Sequence, residues 1–116
     1  MKLVEVRISG RDHASLKLLA EMRAKTVTAV VCDLLEDYLD SYDITKEPLQ
    51  MGPDDTCDKR LSFAPSDVLA ERIGKWRRVT GAMLAPLVRA LVAREVEAYG
   101  REINDYFQRM VNDYLP

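Results

Sequence analysis

Residues 4–9, VEVRIS, alternate apolar and polar side chains for the length of one strand, placing Val4, Val6 and Ile8 on one face and Glu5, Arg7 and Ser9 on the other. Ser9 to Asp12 supply turn and N-cap chemistry. The apolar spacing then becomes helical, through Leu16, Leu19 and Ala20 with Leu18 and Met22 at the edges. Ala24-Lys25-Thr26 interrupts the pattern, and Thr26 or Thr28 can cap a second helix. That helix carries a wide apolar stripe: Val27, Val30, Val31, Leu34, Leu35, Tyr38, Leu39 and Tyr42. Its β-branched start is weak by propensity, so packing must hold it.

Periodicity disappears over residues 43–58, which contain Pro48 and Gly52-Pro53, and this stretch predicts a linker. Extended, it spans on the order of 50 Å, enough to cross a small domain. The order then recurs. KRLSF puts Leu61 and Phe63 on one face and Arg60 and Ser62 on the other; APSD offers a capped start at Ser66 or Asp67. A helix follows with Val68, Leu69, Ile73 and Trp76 on its apolar side. Gly81 suits a left-handed helix end. A second helix runs from about Leu84 with Leu87, Val88, Leu91, Val92 and Val96 inward, and Pro86 is tolerated in its first turn. Residues 100–116 form a further amphipathic helix, with Ile103, Tyr106, Phe107, Met110, Val111 and Tyr114 at helical spacing.

A single short strand leaves its N–H and C=O groups without partners. Two strands solve this by pairing antiparallel. Their apolar faces then roof a four-helix core, which stabilises a ribbon that is marginal in isolation. The expected architecture is mainly α with a two-stranded antiparallel β-ribbon: residues 1–42 and 59–99 as two strand–helix–helix units sharing one core, joined by 43–58 and followed by a helix over 100–116. The ribbon's polar face stays exposed, and a two-stranded ribbon fits the major groove of B-DNA.

Each half resembles a ribbon-helix-helix unit, the dimeric fold of many phage, plasmid and bacterial repressors. LVEVRIS through LKLLAEMRAKTVTAVVCDLLEDYL carries the resemblance in the first half, with Thr26 at the cap of the second helix. KRLSFAPSDVLAERIGKWRRVTGAMLAPLVRALV carries it in the second, with what reads as one extra residue in its first helix and with Met83 in place of a Ser or Thr cap. The chain looks like a tandem member, a pseudo-dimer in one chain, as among plasmid-transfer and T-DNA-transfer accessory factors. The resemblance implies sequence-specific binding of double-stranded DNA by a repressor or DNA-transfer accessory factor. By position it implies base contacts from Glu5, Arg7, Arg60 and Ser62, with Leu3 offering only a methyl contact. It implies phosphate contacts at the starts of the second helices, Thr26 and Thr28 and then Gly81 to Leu84, with Lys2, Lys59, Lys75, Arg77 and Arg78 adding charge.

Charge sharpens this picture. The 116 residues carry a net charge of −2, which speaks against a generic nucleic-acid binder. The average hides sorting: residues 43–58 hold five acids against Lys46, whereas 59–94 hold eight bases (Lys59, Arg60, Arg72, Lys75, Arg77, Arg78, Arg89 and Arg94) against Asp67 and Glu71. The acidic total, Glu5 on the reading face and the apolar positions of 100–116 support an alternative, an antitoxin-like or anti-regulator module that binds a protein partner. The last segment is expected to pack on its own domain, to self-associate or to hold a partner, so the chain is a monomeric pseudo-dimer or a dimer of it.

Other chemistry is sparse. His13 reads as structural or solvated, Cys32 as a small buried hydrophobe and Cys57 as a loop residue, and no spacing among them suits a metal. No paired carboxylates, nucleophile elbow or Gly-rich phosphate loop is present, so neither an enzyme nor a cofactor is expected. No apolar run approaches the roughly 20 residues that cross a bilayer. The start, MKLVEVRIS, lacks an apolar signal region, and a soluble cytoplasmic protein is expected.

Overall fold

The computed structural model describes residues 3–42 and 57–114. Strand β1 (Val4–Ile8) leads into helices α1 (Gly10–Met22) and α2 (Val27–Asp40); β2 (Lys59–Phe63) leads into α3 (Asp67–Thr80), α4 (Leu84–Ala98) and α5 (Gly100–Tyr114). The described chain is thus mainly helical, with one two-stranded antiparallel sheet. Of the predicted linker, residues 43–56 lie outside the described residues.

The strands pair Val4↔Phe63, Glu5↔Ser62, Val6↔Leu61, Arg7↔Arg60 and Ile8↔Lys59. Alternation therefore places Val6, Ile8, Leu61 and Phe63 against the helices, all buried, with Val4 half-buried beside them. Burying Phe63 or Ile8 fully is worth about 1.5–3 kcal/mol each, so the helices hold the ribbon flat against them. Beneath it lie Leu16 and Ala20 of α1, Val30, Val31 and Leu35 of α2, Leu69, Ile73 and Trp76 of α3, and Leu87, Val88, Leu91 and Val92 of α4.

Helix boundaries follow local chemistry. The hydroxyls of Ser9, Thr26 and Ser66 accept from the amides of Asp12, Ala29 and Leu69, each a side-chain N-cap. Met83 occupies the corresponding place before α4 and makes no such bond. Both first helices end through a left-handed residue, Ala24 at φ 53° and Gly81 at φ 70°. At the α1 end the Lys25 amide donates to the Ala20 carbonyl and the Ala24 amide to that of Glu21, so the orphan carbonyls are satisfied despite the alanine.

In sequence, the two units align without a gap. Setting Ser9 on Ser66 puts Val4, Val6 and Ile8 on Leu61, Phe63 and the buried Pro65, and puts Val30, Val31 and Leu35 on Leu87, Val88 and Val92. Thr26 then falls on Met83. The extra residue expected in the second unit is not an insertion. Helix α3 has 14 residues to the 13 of α1 because it runs one residue further before its left-handed end. A second correction concerns Val68, expected inward and in fact 71% exposed. It sits one position, about 100° of helix turn, from Leu69, and the stripe that meets the core is Leu69, Ile73 and Trp76.

Two contacts cross between units at matching positions. The Cys32 thiol lies 4.0 Å from the Ala64 carbonyl, and Arg89 Nη1 lies 3.4 Å from the Arg7 carbonyl. In that alignment Cys32 falls on Arg89 and Arg7 on Ala64. Helix α5 packs on α1 and α4 through buried Ile103. The α4–α5 junction is tied to the end of α1 by Arg23, which pairs with Glu95 at 3.1 Å and stacks 4.9 Å over the Tyr99 ring.

Candidate nucleic-acid interface

The ribbon's solvent face is built by the register itself. Because Glu5 pairs with Ser62 and Arg7 with Arg60, these four side chains point away from the core together, and all four are exposed. At the Ile8–Lys59 end this face carries the two guanidiniums of Arg7 and Arg60. At the Val4–Phe63 end its flanking outward positions are Leu3, 67% exposed, and half-buried Ala64. Glu5, at the centre, forms an ion pair with Arg60 diagonally across the strands. Both partners are largely exposed, so the pair contributes about 0–1 kcal/mol to stability. Its effect is on charge: it neutralises the one acid on the face and offsets repulsion between two directly opposed arginines.

Lys59 does not share this face. By alternation it lies on the inward side at the ribbon's end, where its stem runs beside Gly10, with Lys59 Cγ 3.7 Å from where a Gly10 Cβ would stand. Together with Lys17 its charge adds to burial, the larger cause, in lowering the pKa of His13. His13 is therefore a neutral residue at the start of α1 near neutral pH. Lys2 lies outside the described residues.

The expected phosphate contacts separate into two groups. Thr26 is exposed at the α2 start with its hydroxyl already accepting from Ala29, and Thr28 is half-buried in the first turn. Lys25, just before the cap, is held 2.7 Å from Asp33. At the other end, Arg77 and Arg78 are exposed in the last turn of α3, where a cation complements the helix dipole. Lys75 lies 3.6 Å from Glu71, one turn back along α3. Gly81 closes α3, and α4 opens at Leu84 and Ala85 with amides that no side chain caps; Pro86 has no N–H to offer. Trp76, in the middle of the basic tract, is buried in the core and meets Tyr38 edge-on at 6.1 Å. Its indole N–H is buried without a hydrogen-bond partner among the described residues. The Tyr38 pKa is raised by burial; the Trp76 N–H opposes that shift but does not reach bonding geometry with the hydroxyl.

Arg89 is the residue that sequence reasoning left out of the interface. It reaches from α4 to the Arg7 carbonyl, steadying the end of β1 that presents Arg7. The available signal was a cation set into an apolar run, between Leu87-Val88 and Leu91-Val92, at the place Cys32 holds in α2. Burial, followed by the charges of Glu36 and Asp33, raises the Cys32 pKa and keeps that thiol protonated. Among the described residues no group of three or more His, Cys, Asp or Glu side chains could hold a metal ion, and no helix is long and apolar enough to cross a membrane.

No protein-family model, characterised protein or solved structure matches this chain.

Proposed function

We propose that this chain is a single-chain pseudo-dimer of the ribbon-helix-helix type that binds double-stranded DNA by laying the outward face of its ribbon in the major groove, as a repressor or DNA-transfer accessory factor does. One observation carries the reading: antiparallel pairing gathers Glu5, Arg7, Arg60 and Ser62 on one exposed face while the opposite face is sealed in the core. The gap-free sequence alignment of the two units and the matched contacts of Cys32 and Arg89 support the pseudo-dimer. Arginine reads the O6 and N7 acceptors of guanine, serine reads either kind of edge, and Glu5 accepts from an exposed base amino group. Arg77, Arg78 and the uncapped amides of α4 supply sequence-independent phosphate contacts.

Selection from a random duplex pool at moderate salt tests the reading. A defined motif should emerge, and its affinity should fall steeply as salt rises, because each phosphate contact releases counterions. An Arg7→Ala, Arg60→Ala double variant should stay folded and lose the preference for that motif, by about 10- to 100-fold. Full affinity in the variant removes the mechanism.

A second reading rests on α5. Its apolar stripe is only half covered, leaving Phe107 47% and Tyr114 84% exposed, which suits an antitoxin-like or anti-regulator protein that binds a protein partner or a second copy through this helix. Truncation after Ala98 separates the two. DNA binding that survives truncation supports the first reading; function lost with α5 while no variant binds DNA supports the second.

A further inference from the structure

The outward face of the ribbon is chemically lopsided, and the lopsidedness has a direction. In the gap-free sequence alignment of the two units, Leu3 falls on Arg60, Glu5 on Ser62 and Arg7 on Ala64. None of these pairs is alike. The pseudo-two-fold implied by that alignment and the register passes between Glu5 and Ser62, which face each other across the strands. It therefore exchanges the two ends of the ribbon. One end presents Arg7 opposite Arg60; the other presents exposed Leu3 beside Ala64. At the centre Glu5 leans toward the arginine end, ion-paired to Arg60, while Ser62, the diagonal neighbour of Arg7, is neutral.

We infer that the duplex this chain reads is non-palindromic, with guanine under the Arg7–Arg60 end and a thymine 5-methyl group under the Leu3–Ala64 end, bound in one orientation set by the ribbon. The inference rests on the DNA-binding reading above. Guanidiniums donate to guanine O6 and N7, whereas aliphatic side chains have no donor to offer and gain only by covering the apolar thymine methyl. A symmetric operator asks the same side chains of both of its ends, and this face cannot supply them. Glu5 reinforces the direction. An unpaired carboxylate in the groove is repelled by the phosphates, so its neutralisation by Arg60 favours the arrangement in which Glu5 accepts from a cytosine or adenine amino group beside the guanine.

The test uses the full chain and a random duplex pool. The expected motif is non-palindromic, with a guanine at one end and a thymine at the other. Replacing that thymine by uracil in the recovered duplex removes one methyl group and should weaken binding about fourfold, the value of burying one methyl. The same replacement at other positions should change affinity less than twofold. A Leu3→Arg, Ala64→Arg double variant gives both ends arginines and should shift the recovered motif toward a palindrome with guanine at both ends. A palindromic motif from the unaltered chain, or indifference to the thymine methyl, overturns the inference and leaves DNA binding standing. No enriched motif at all overturns both.

Discussion

The two strand–helix–helix units solve one packing problem with different punctuation. The first caps its second helix with the Thr26 hydroxyl but ends its first helix on Ala24 in a left-handed conformation. The second does the reverse, ending α3 on Gly81 and starting α4 at Met83 without a side-chain cap. Three buried positions of the second helices, by contrast, coincide: Val30, Val31 and Leu35 answer to Leu87, Val88 and Val92. The shared core requires the apolar spacing, and each helix end is a separate local contribution of about 1 kcal/mol that either unit can forgo.

The comparison breaks most readily at the ribbon. Phe63 and Val6 hold the same place in their units, but Phe63 is larger and is fully buried. Phe63→Ala should cost about 3–5 kcal/mol and Val6→Ala about 2 kcal/mol by chemical denaturation, since each loses transfer energy and leaves a cavity. Equal costs would mean that the two strands do not share one core.

The helix ends sharpen it next. Gly81→Ala should destabilise by about 1–2 kcal/mol, because a Cβ is strained at φ 70° even though nothing lies within 4 Å to clash with it. Ala24→Gly, at φ 53°, should stabilise by about 0.4–1 kcal/mol. At the second-helix starts, Thr26→Ala should cost about 1 kcal/mol and Met83→Thr should gain a comparable amount, each read as a shift in the denaturation midpoint at constant slope.

The smallest effect concerns pH. Burial and the nearby lysines lower the His13 pKa in the folded chain, so folding favours the neutral imidazole. That contribution is fully present above the unfolded value of about 6.5 and is lost as pH falls from there through the lower folded value. Stability measured from pH 8 to pH 5 should fall slightly more steeply for the parent than for a His13→Gln variant. Identical slopes would show that His13 titrates alike in both states.

Much of this was legible because period-two and helical spacing report directly on which face is covered. VEVRI and KRLSF are the two strands, their inward residues are those that alternation picks out, and Thr26 is the cap of α2 rather than Thr28. Val68 misled because a residue beside the stripe at a helix start looks apolar enough to belong to it. The apparent extra residue misled because a change in how α3 ends shifts its apparent length without shifting its register. In the interface, alternation identified Glu5, Arg7, Arg60 and Ser62 one strand at a time, and only the pairing of the strands set Arg7 opposite Arg60.

The sequence by itself determined the elements, narrowed the caps of α2 and α3 to two candidates each and, Val68 apart, picked out the inward set, because each depends on residues within a turn or two of one another. Only the tertiary structure decided the register. Sliding β2 by two residues would keep every side chain on the same face and preserve both alternation patterns. The register Val4↔Phe63 is set by how Phe63 and Leu61 seat among the helices, so it depends on contacts distant in sequence. From it follow the Arg7–Arg60 opposition, the Glu5–Arg60 pair and the reach of Arg89 to the Arg7 carbonyl.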